Sequence, residues 1–173
     1  MKKVIVNSLL AVSLGFGFAV QADSTPAINK GVQRILDKAE QGDAKAQFDI
    51  AVIYYQGLRI DQNLQEAAKW YLKSAEQGYS PAQANLSSMY LQGVGVERND
   101  AEAKKWIDKA IERGNADAVN NLGVMYLEGR EVTQDKEKAI ELFKQACRQS
   151  SPKGCQNYKM ASLPPGQKFM HHH

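Results

Sequence analysis

The chain has 173 residues, with 22 lysines and arginines against 19 aspartates and glutamates, and its formal net charge at pH 7 is +3. A chain of this length fits one domain that buries a substantial core. So small a net charge gives no electrostatic reason to expect nucleic-acid binding, which requires a concentrated basic surface, and no nucleic-acid partner is expected.

The first 22 residues have the layout of a secretory signal peptide. Lys2 and Lys3 precede an apolar run over residues 4–20, and Val20-Gln21-Ala22 places small residues before a cleavage point. The run is short for a membrane span, and no positive stop-transfer cluster follows it. We predict cleavage after Ala22, a periplasmic or secreted location, and no stable membrane anchor after cleavage.

The rest of the sequence repeats with a period of 36 residues, which indicates stacked supersecondary units. The coinciding positions are Gly42, Gly78 and Gly114; Tyr54, Tyr90 and Tyr126; Gly57, Gly93 and Gly129; and Ala67, Ala103 and Ala139. The predicted segments are repeats at 42–77, 78–113 and 114–149, half-repeat caps at 28–41 and 150–160, and a flexible tail at 161–173. The repeat domain as a whole is predicted over residues 23–160.

Each unit is predicted to form two helices joined by a turn. In unit one, Ala46, Ile50 and Tyr54 recur at four-residue steps, the spacing of a helix with one buried face. Gly57 follows the last turn, where a residue free to adopt positive φ lets the chain leave the helix. One hairpin cannot bury its apolar face alone, whereas three stacked hairpins can. The expected fold class is therefore all-α, an α-solenoid of helix-turn-helix repeats.

The second helix of each unit begins with a capping signal. The predicted N-caps, whose side chains accept from amides of the first turn, are Asn63, Asn99 and Asp135. Glu66 and Glu102 stand three residues after the two asparagines, which predicts a reciprocal capping box in units one and two. Lys138 occupies that position in unit three, so a weaker cap is expected there.

Several segments of the repeat carry a likeness to a known family. They are Ala46-Gln47, Ala82-Gln83, Ala67-Ala68-Lys69-Trp70-Tyr71, Ala75-Glu76-Gln77-Gly78 and Gly93-Val94-Gly95-Val96. Together they resemble the Sel1-like repeat, a relative of the tetratricopeptide repeat. Leu58-Arg59 and Arg130-Glu131 depart from the pattern, because they replace the glycine-containing turn of unit two. The resemblance implies a right-handed superhelix and a role in protein binding, as in envelope assembly, signalling or host contact.

Cys147 and Cys155 resemble the linked cysteines of the secreted, cysteine-rich branch of this family. An even pair in an exported chain also favours a disulfide over reactive thiols or zinc ligands. Some members of that branch are described as penicillin-binding or β-lactamase-like, so hydrolysis of β-lactams or cell-wall material is the alternative function. The repeats carry no histidine to act as a general base, which makes an enzyme the less favoured hypothesis.

The three histidines, His171 to His173, follow one another at the C-terminal end. Consecutive residues on a frayed end cannot preorganise a coordination shell, so no metal site is predicted. No glycine-rich loop carries the lysine that phosphate binding needs, and no cofactor is expected.

The first helices are expected to line a concave groove, by analogy with tetratricopeptide repeats. Positions in these helices that the repeat does not need for its core are partly apolar, which is unusual for a solvated face. The predicted partner-binding residues are Phe48, Val52, Tyr55, Asn85, Ser88, Leu91, Asn120, Asn121, Val124 and Leu127. One alternative is that some of these pack on neighbouring helices or the termini. The other is that the site lies on the convex face or in the loops of Arg59, Arg98 and Arg130.

The leading hypothesis is therefore an exported module that binds a protein or peptide in this groove. An immunity protein that masks a toxin and an envelope adaptor are two forms of that hypothesis. The identity of the partner and the oligomeric state stay open at this point.

Overall fold

The computed structural model describes residues 30–163 of the chain. The predicted signal peptide, most of the predicted tail and the three histidines lie outside the described residues. The helices of the described range are α1 (Lys30–Glu40), α2 (Ala44–Gln56), α3 (Leu64–Glu76), α4 (Ser80–Gln92), α5 (Asp100–Glu112), α6 (Ala116–Glu128), α7 (Lys136–Arg148) and α8 (Pro152–Ala161). Residues 30–163 contain no strand, and the prediction of an all-α solenoid is confirmed.

The helices alternate between two sets. The first helices of the repeats are α2, α4, α6 and α8, and the second helices are α1, α3, α5 and α7. Each helix packs on its neighbours in the chain, and α6 also contacts both α4 and α8. No comparable contact joins two second helices among those described here. Among the first helices, α4, α6 and α8 therefore lie closer together than the second helices do, which places the first helices on the inner side of the stack.

Small residues bring the helix axes together within each unit. Ala51 and Ala67 are fully buried, and Ala75 is 1% exposed. The hydroxyl of Ser74 in α3 donates to the carbonyl of Ala44, the first residue of α2, at 2.7 Å. Since alanine and serine have short side chains, paired helices approach to about 8 to 10 Å and bury their apolar faces against each other.

The helices at the two ends of the described stack, α1 and α8, each lack the other helix of their own repeat within residues 30–163. In α1, Lys38 stands one period before Ser74, which contacts the first helix of its own unit. In α8, Lys159 stands one period after Gly123, which faces Phe143 of the paired second helix. Both lysines are exposed. Charged side chains therefore occupy the end positions where inner units pack.

The predicted N-caps are present in all three units. The side-chain oxygens of Asn63, Asn99 and Asp135 accept from the backbone three residues later at 3.0, 2.9 and 2.9 Å. The reciprocal half of the capping box is absent, because the amide of Asn63 instead donates to the carbonyl of Tyr54 at 2.9 Å. The same bond, from the cap amide to the tyrosine of the preceding helix, recurs in units two and three. The cap of unit three is therefore built like the others.

The cap geometry predicts a difference between two neighbouring substitutions. Asn63→Ala is expected to lower the free energy of unfolding by about 1 kcal/mol, because the amide of Glu66 loses its acceptor. Glu66→Ala is expected to cost less than about 0.5 kcal/mol, since its carboxylate makes only an exposed pair with Lys69. Urea denaturation of both variants checks this. Equal losses would mean that a reciprocal capping box operates in solution.

The turns of the three units share one backbone conformation despite their different sequences. Gly95 has a φ of 71°, and the equivalent residues Arg59 and Glu131 have φ values of 65° and 52°. The departures noted in the sequence therefore leave the turn unchanged. Arg59 and Glu131 therefore adopt a left-handed backbone conformation that costs a residue with a side chain more free energy than it costs glycine.

A disulfide joins Cys147, in the last turn of α7, to Cys155 in α8. The predicted pairing is confirmed. Gly154 lies beside this bond, and a Cβ atom built there would stand 2.6 Å from the Cβ of Ala146. The close approach of α7 and α8 therefore depends on a glycine as well as on the disulfide.

Candidate functional site

Three cavities follow one another along the inner side of the stack. The first cavity lies mainly between α2 and α4 and measures about 180 Å³. The middle cavity of about 520 Å³ lies between α4, α6 and α8, and the last cavity of about 480 Å³ lies between α6, α7 and α8. Lining positions one period apart are Val52, Ser88 and Val124; Tyr55, Leu91 and Leu127; and Asn85, Asn121 and Asn157. We call the three cavities together the groove.

Lys153 in the first turn of α8 lines both the first and the middle cavity. The first cavity otherwise belongs to α2, α3 and α4. That a side chain of α8 also lines it indicates that the row of first helices is curved. The groove is therefore the inside of a curved stack.

Nine of the ten residues singled out in the sequence line the groove. Phe48 is the exception. Its ring centre lies 5.7 Å from that of Tyr71 and 5.3 Å from that of Tyr79. The expectation that the fold does not need Phe48 is wrong, because two tyrosines that belong to the unit-one to unit-two junction pack on it.

Three of the nine form the floor of the middle cavity and are largely buried. Leu91, Asn120 and Asn121 are 5%, 3% and 7% exposed. The side-chain amide of Asn121 donates to the carbonyl of Ala84 at 3.1 Å and to the hydroxyl of Ser87 at 3.0 Å. The expectation that these positions are spare is wrong for all three, because they also hold α6 against its neighbours.

A chain of amides crosses the floor from α8 to α4. Asn157 donates to the side-chain oxygen of Asn120 at 2.8 Å, and Asn120 lies 3.4 Å from the side-chain oxygen of Asn121. Asn121 in turn donates to α4, as described above. Buried polar groups that find partners in this way fix the relative positions of the elements that carry them. The floor of the middle cavity is thus held rigidly by three first helices.

The first cavity has a phenol at its base. Tyr71 is 2% exposed, and its hydroxyl accepts a hydrogen bond from the amide of Asn85 at 3.1 Å. Burial raises the pKa of Tyr71 to about 12, and the bond from Asn85 acts in the opposite direction. The hydroxyl therefore stays protonated at neutral pH and keeps its own hydrogen available as a donor.

A cluster of ions lies at the mouth of the middle cavity. Arg130 donates to the carbonyl of Leu91 at 2.7 Å, pairs with Glu128, and lies 3.7 Å from Asp100. Arg98 donates twice to the same Asp100, at 2.9 and 3.2 Å. These hydrogen bonds are the main cause that lowers the pKa of Asp100, with partial burial opposing them and Arg130 adding to them. The loop arginines proposed as an alternative site thus belong to the groove itself, at positions 98 and 130.

Several lining residues were not foreseen from the sequence. They are Gln56, Tyr71, Met89, Gln92, Glu128, Lys136, Ile140, Phe143, Lys153, Gln156, Asn157, Met160 and Ala161. Asn157 lies one period after Asn121, so extending the 36-residue register into the last half-repeat is the signal that finds it. The residues of α7 carried no such signal, because a second helix was not expected to reach the inner side.

Between residues 30 and 163, none of the helices is both long and apolar enough to cross a bilayer.

The fold and the groove together define an α-solenoid of helix pairs, with cavities of about 180 to 520 Å³ along its inner side. The chain belongs to the Sel1 repeat family. The family model described as "Sel1 repeat" matches residues 44–79, 80–115 and 116–151. The matched repeats begin at the first residues of α2, α4 and α6. The resemblance noted in the sequence is confirmed, and repeats of this family are protein-interaction modules.

Two relatives come from uropathogenic Escherichia coli. The secretory immunoglobulin A-binding protein EsiB of strain CFT073 is 40% identical over 66 residues, which cover 38% of this chain and 13% of EsiB. The crystal structure of a protective antigen with an SLR fold is 39% identical at a TM-score of 0.65, covering 74% of this chain and 27% of that one. The chain therefore spans about an eighth and about a quarter of these relatives' lengths.

Two further structures have the same architecture. A Sel1 repeat protein from Oxalobacter formigenes is 31% identical at a TM-score of 0.63, covering 77% of this chain and 57% of that one. Cysteine-rich protein B of Helicobacter pylori has a TM-score of 0.56 at 20% identity, and the match covers 73% of this chain and 94% of that one. The second likeness bears on the fold alone, so the hydrolase hypothesis stays a prediction from sequence.

Proposed function

We propose that this chain is an exported interaction module that binds an extended segment of another protein in the groove. The observation that carries the proposal is the continuity of the groove, in which neighbouring cavities share lining residues and three sets of lining positions recur one repeat apart. A continuous row of cavities suits an extended chain better than a single compact ligand. The partial exposure of Val52, Tyr55 and Leu127 leaves apolar surface that such a segment would cover.

Two further observations support the proposal. The disulfide is of the kind that forms and persists in oxidising compartments, which agrees with export to the periplasm or beyond. EsiB, a relative over a short stretch, is named for binding secretory immunoglobulin A, and so has a protein as its ligand. An immunity protein and an envelope adaptor are the two roles that this proposal favours.

Substitutions in the first and last cavities test the proposal. Peptides selected on the purified protein from a phage-displayed library of random linear peptides serve as the probe. Tyr55→Ala and Leu127→Ala are each expected to weaken binding of the selected peptides about tenfold, because a few half-buried apolar anchors dominate interfaces of this kind. Fluorescence anisotropy measures the affinity, and circular dichroism confirms that each variant is folded.

Leu58→Ala is the matched control, since Leu58 is 48% exposed and lies outside the groove. It is expected to leave the affinity unchanged. Normal binding by both groove variants, or equal loss in the control, would show that the groove is not the binding site.

A further inference from the structure

The repeat contains two lysines at equivalent positions, and only one of them is neutralised. Lys45 in α2 pairs with Asp49 at 2.6 Å, one turn further along the same helix. Lys153 stands three periods later in α8, and the residue one turn further along is Asn157. No carboxylate within residues 30–163 pairs with Lys153. Its charge is therefore available to a ligand, whereas that of Lys45 is not.

The charges around Lys153 make the groove electropositive at this point. The middle cavity is lined by Arg98, Arg130 and Lys153 against the single carboxylate of Glu128. Asp100 partly neutralises the two arginines, as described above. The positive charge of Lys153 is not neutralised, so a ligand with negative charge is favoured here by charge complementarity.

The neighbours of Lys153 on α8 are hydrogen-bond donors. Gln156 and Asn157 follow it at three and four residues, which places all three on one face of the helix. Asn157 uses its amide to donate to Asn120, and an amide nitrogen carries two hydrogens. An ammonium group beside two amides suits a carboxylate and the peptide backbone next to it.

The last cavity adjoins this site and is mainly apolar. Asn157, Val124 and Glu128 line both cavities. Ile140, Phe143 and Met160 complete the apolar wall of the last cavity, where Lys136 and Glu128 are the charged residues. Met160 is 49% exposed, one of the two large hydrophobic side chains of the described range that are so open. A ligand with a carboxylate at Lys153 therefore meets an apolar recess one step further along the groove.

We infer that the segment accepted by the groove is acidic, with an aspartate or glutamate side chain at Lys153 and a large apolar side chain in the last cavity. The inference rests on the proposed function and names the chemical class of the protein segment. The amides set a peptide apart from other anions, because they match the alternating donors and acceptors of an extended backbone.

The same phage-displayed library tests the inference. Selected peptides are expected to be enriched in aspartate or glutamate close to leucine, isoleucine, phenylalanine or methionine. Lys153→Ala is expected to weaken their binding up to about fivefold, the effect of losing one exposed ion pair. Lys153→Glu is expected to weaken it tenfold or more, because a like charge then faces the ligand. The affinity of the unaltered protein is expected to fall as salt is raised.

Lys45→Glu is the matched control, because it reverses the same residue type at the equivalent, neutralised position. It is expected to change the affinity less than twofold. Two results would overturn the inference and leave the groove proposal standing. In the first, the selected peptides bind Tyr55→Ala more weakly but are not enriched in acidic residues. In the second, they bind Lys153→Glu as well as the unaltered protein. Peptides insensitive to every groove substitution would overturn both.

Discussion

Replacing Gly95 by alanine is expected to lower the free energy of unfolding by about 3 kcal/mol. Two costs add at this position. A residue with a side chain loses roughly 1 to 2 kcal/mol in the left-handed conformation that Gly95 adopts. A Cβ atom built there would also stand 2.6 Å from the carbonyl carbon of Leu64 and overlap its oxygen. That obstacle is backbone of the preceding unit, so it cannot turn aside as a side chain does.

Glu131→Ala is the control for this substitution, since Glu131 occupies the equivalent turn one period later. It already carries a Cβ at a φ of 52°, and truncation beyond that atom is expected to change stability by less than about 0.5 kcal/mol. Thermal and urea unfolding of both variants compare the two turns. Similar small losses would mean that the junction between units one and two is looser in solution than in the structure.

Removing the disulfide is expected to have a comparable effect. The bond closes a loop of about nine residues, and the chain-entropy estimate for that length is about 2.6 kcal/mol. For a protein of this size the loss corresponds to roughly 5 to 10 °C in the melting temperature. The double variant Cys147→Ala with Cys155→Ala, compared with the unaltered protein by scanning calorimetry, measures it.

Reductant provides the control. It is expected to lower the melting temperature of the unaltered protein to that of the double variant and to leave the variant unchanged. Because α8 packs mainly on α7 and carries Lys153, its loosening is also expected to weaken peptide binding. A melting temperature that neither the variant nor the reductant alters would show that packing alone holds α8 in place.

The repeat, the helices, their N-cap side chains and the disulfide all follow from the sequence, because each depends on residues close together in the chain. Asn63 and its amide partner are three residues apart, and the cysteines are eight apart. The period then copies each local feature into the next unit. This is why an architecture of 36-residue units is legible without a structure.

The contents of the groove depend instead on contacts between units. Asn121 donates hydrogen bonds to two residues of α4 that lie 37 and 34 positions earlier in the chain. The periodicity within a helix does not reveal contacts of this kind. Lys153 reaches the first cavity only through the curvature of the whole stack. Phe48 is held by two tyrosines that units two and three replace with other residues. The candidate site was therefore predicted in outline, with its floor mistaken for surface.

The lysines at the two ends of the stack bear on how the protein behaves when concentrated. A solenoid is an open-ended arrangement, and copies that join end to end by one repeated contact form filaments rather than closed oligomers. Such a joint would complete a repeat from α8 of one copy and α1 of the next. It would also bury Lys38 and Lys159, both exposed and charged, at positions that Ser74 and Gly123 fill inside the stack. The cost of removing these two charges from water therefore opposes fibre growth by a surface that the repeat otherwise makes self-complementary.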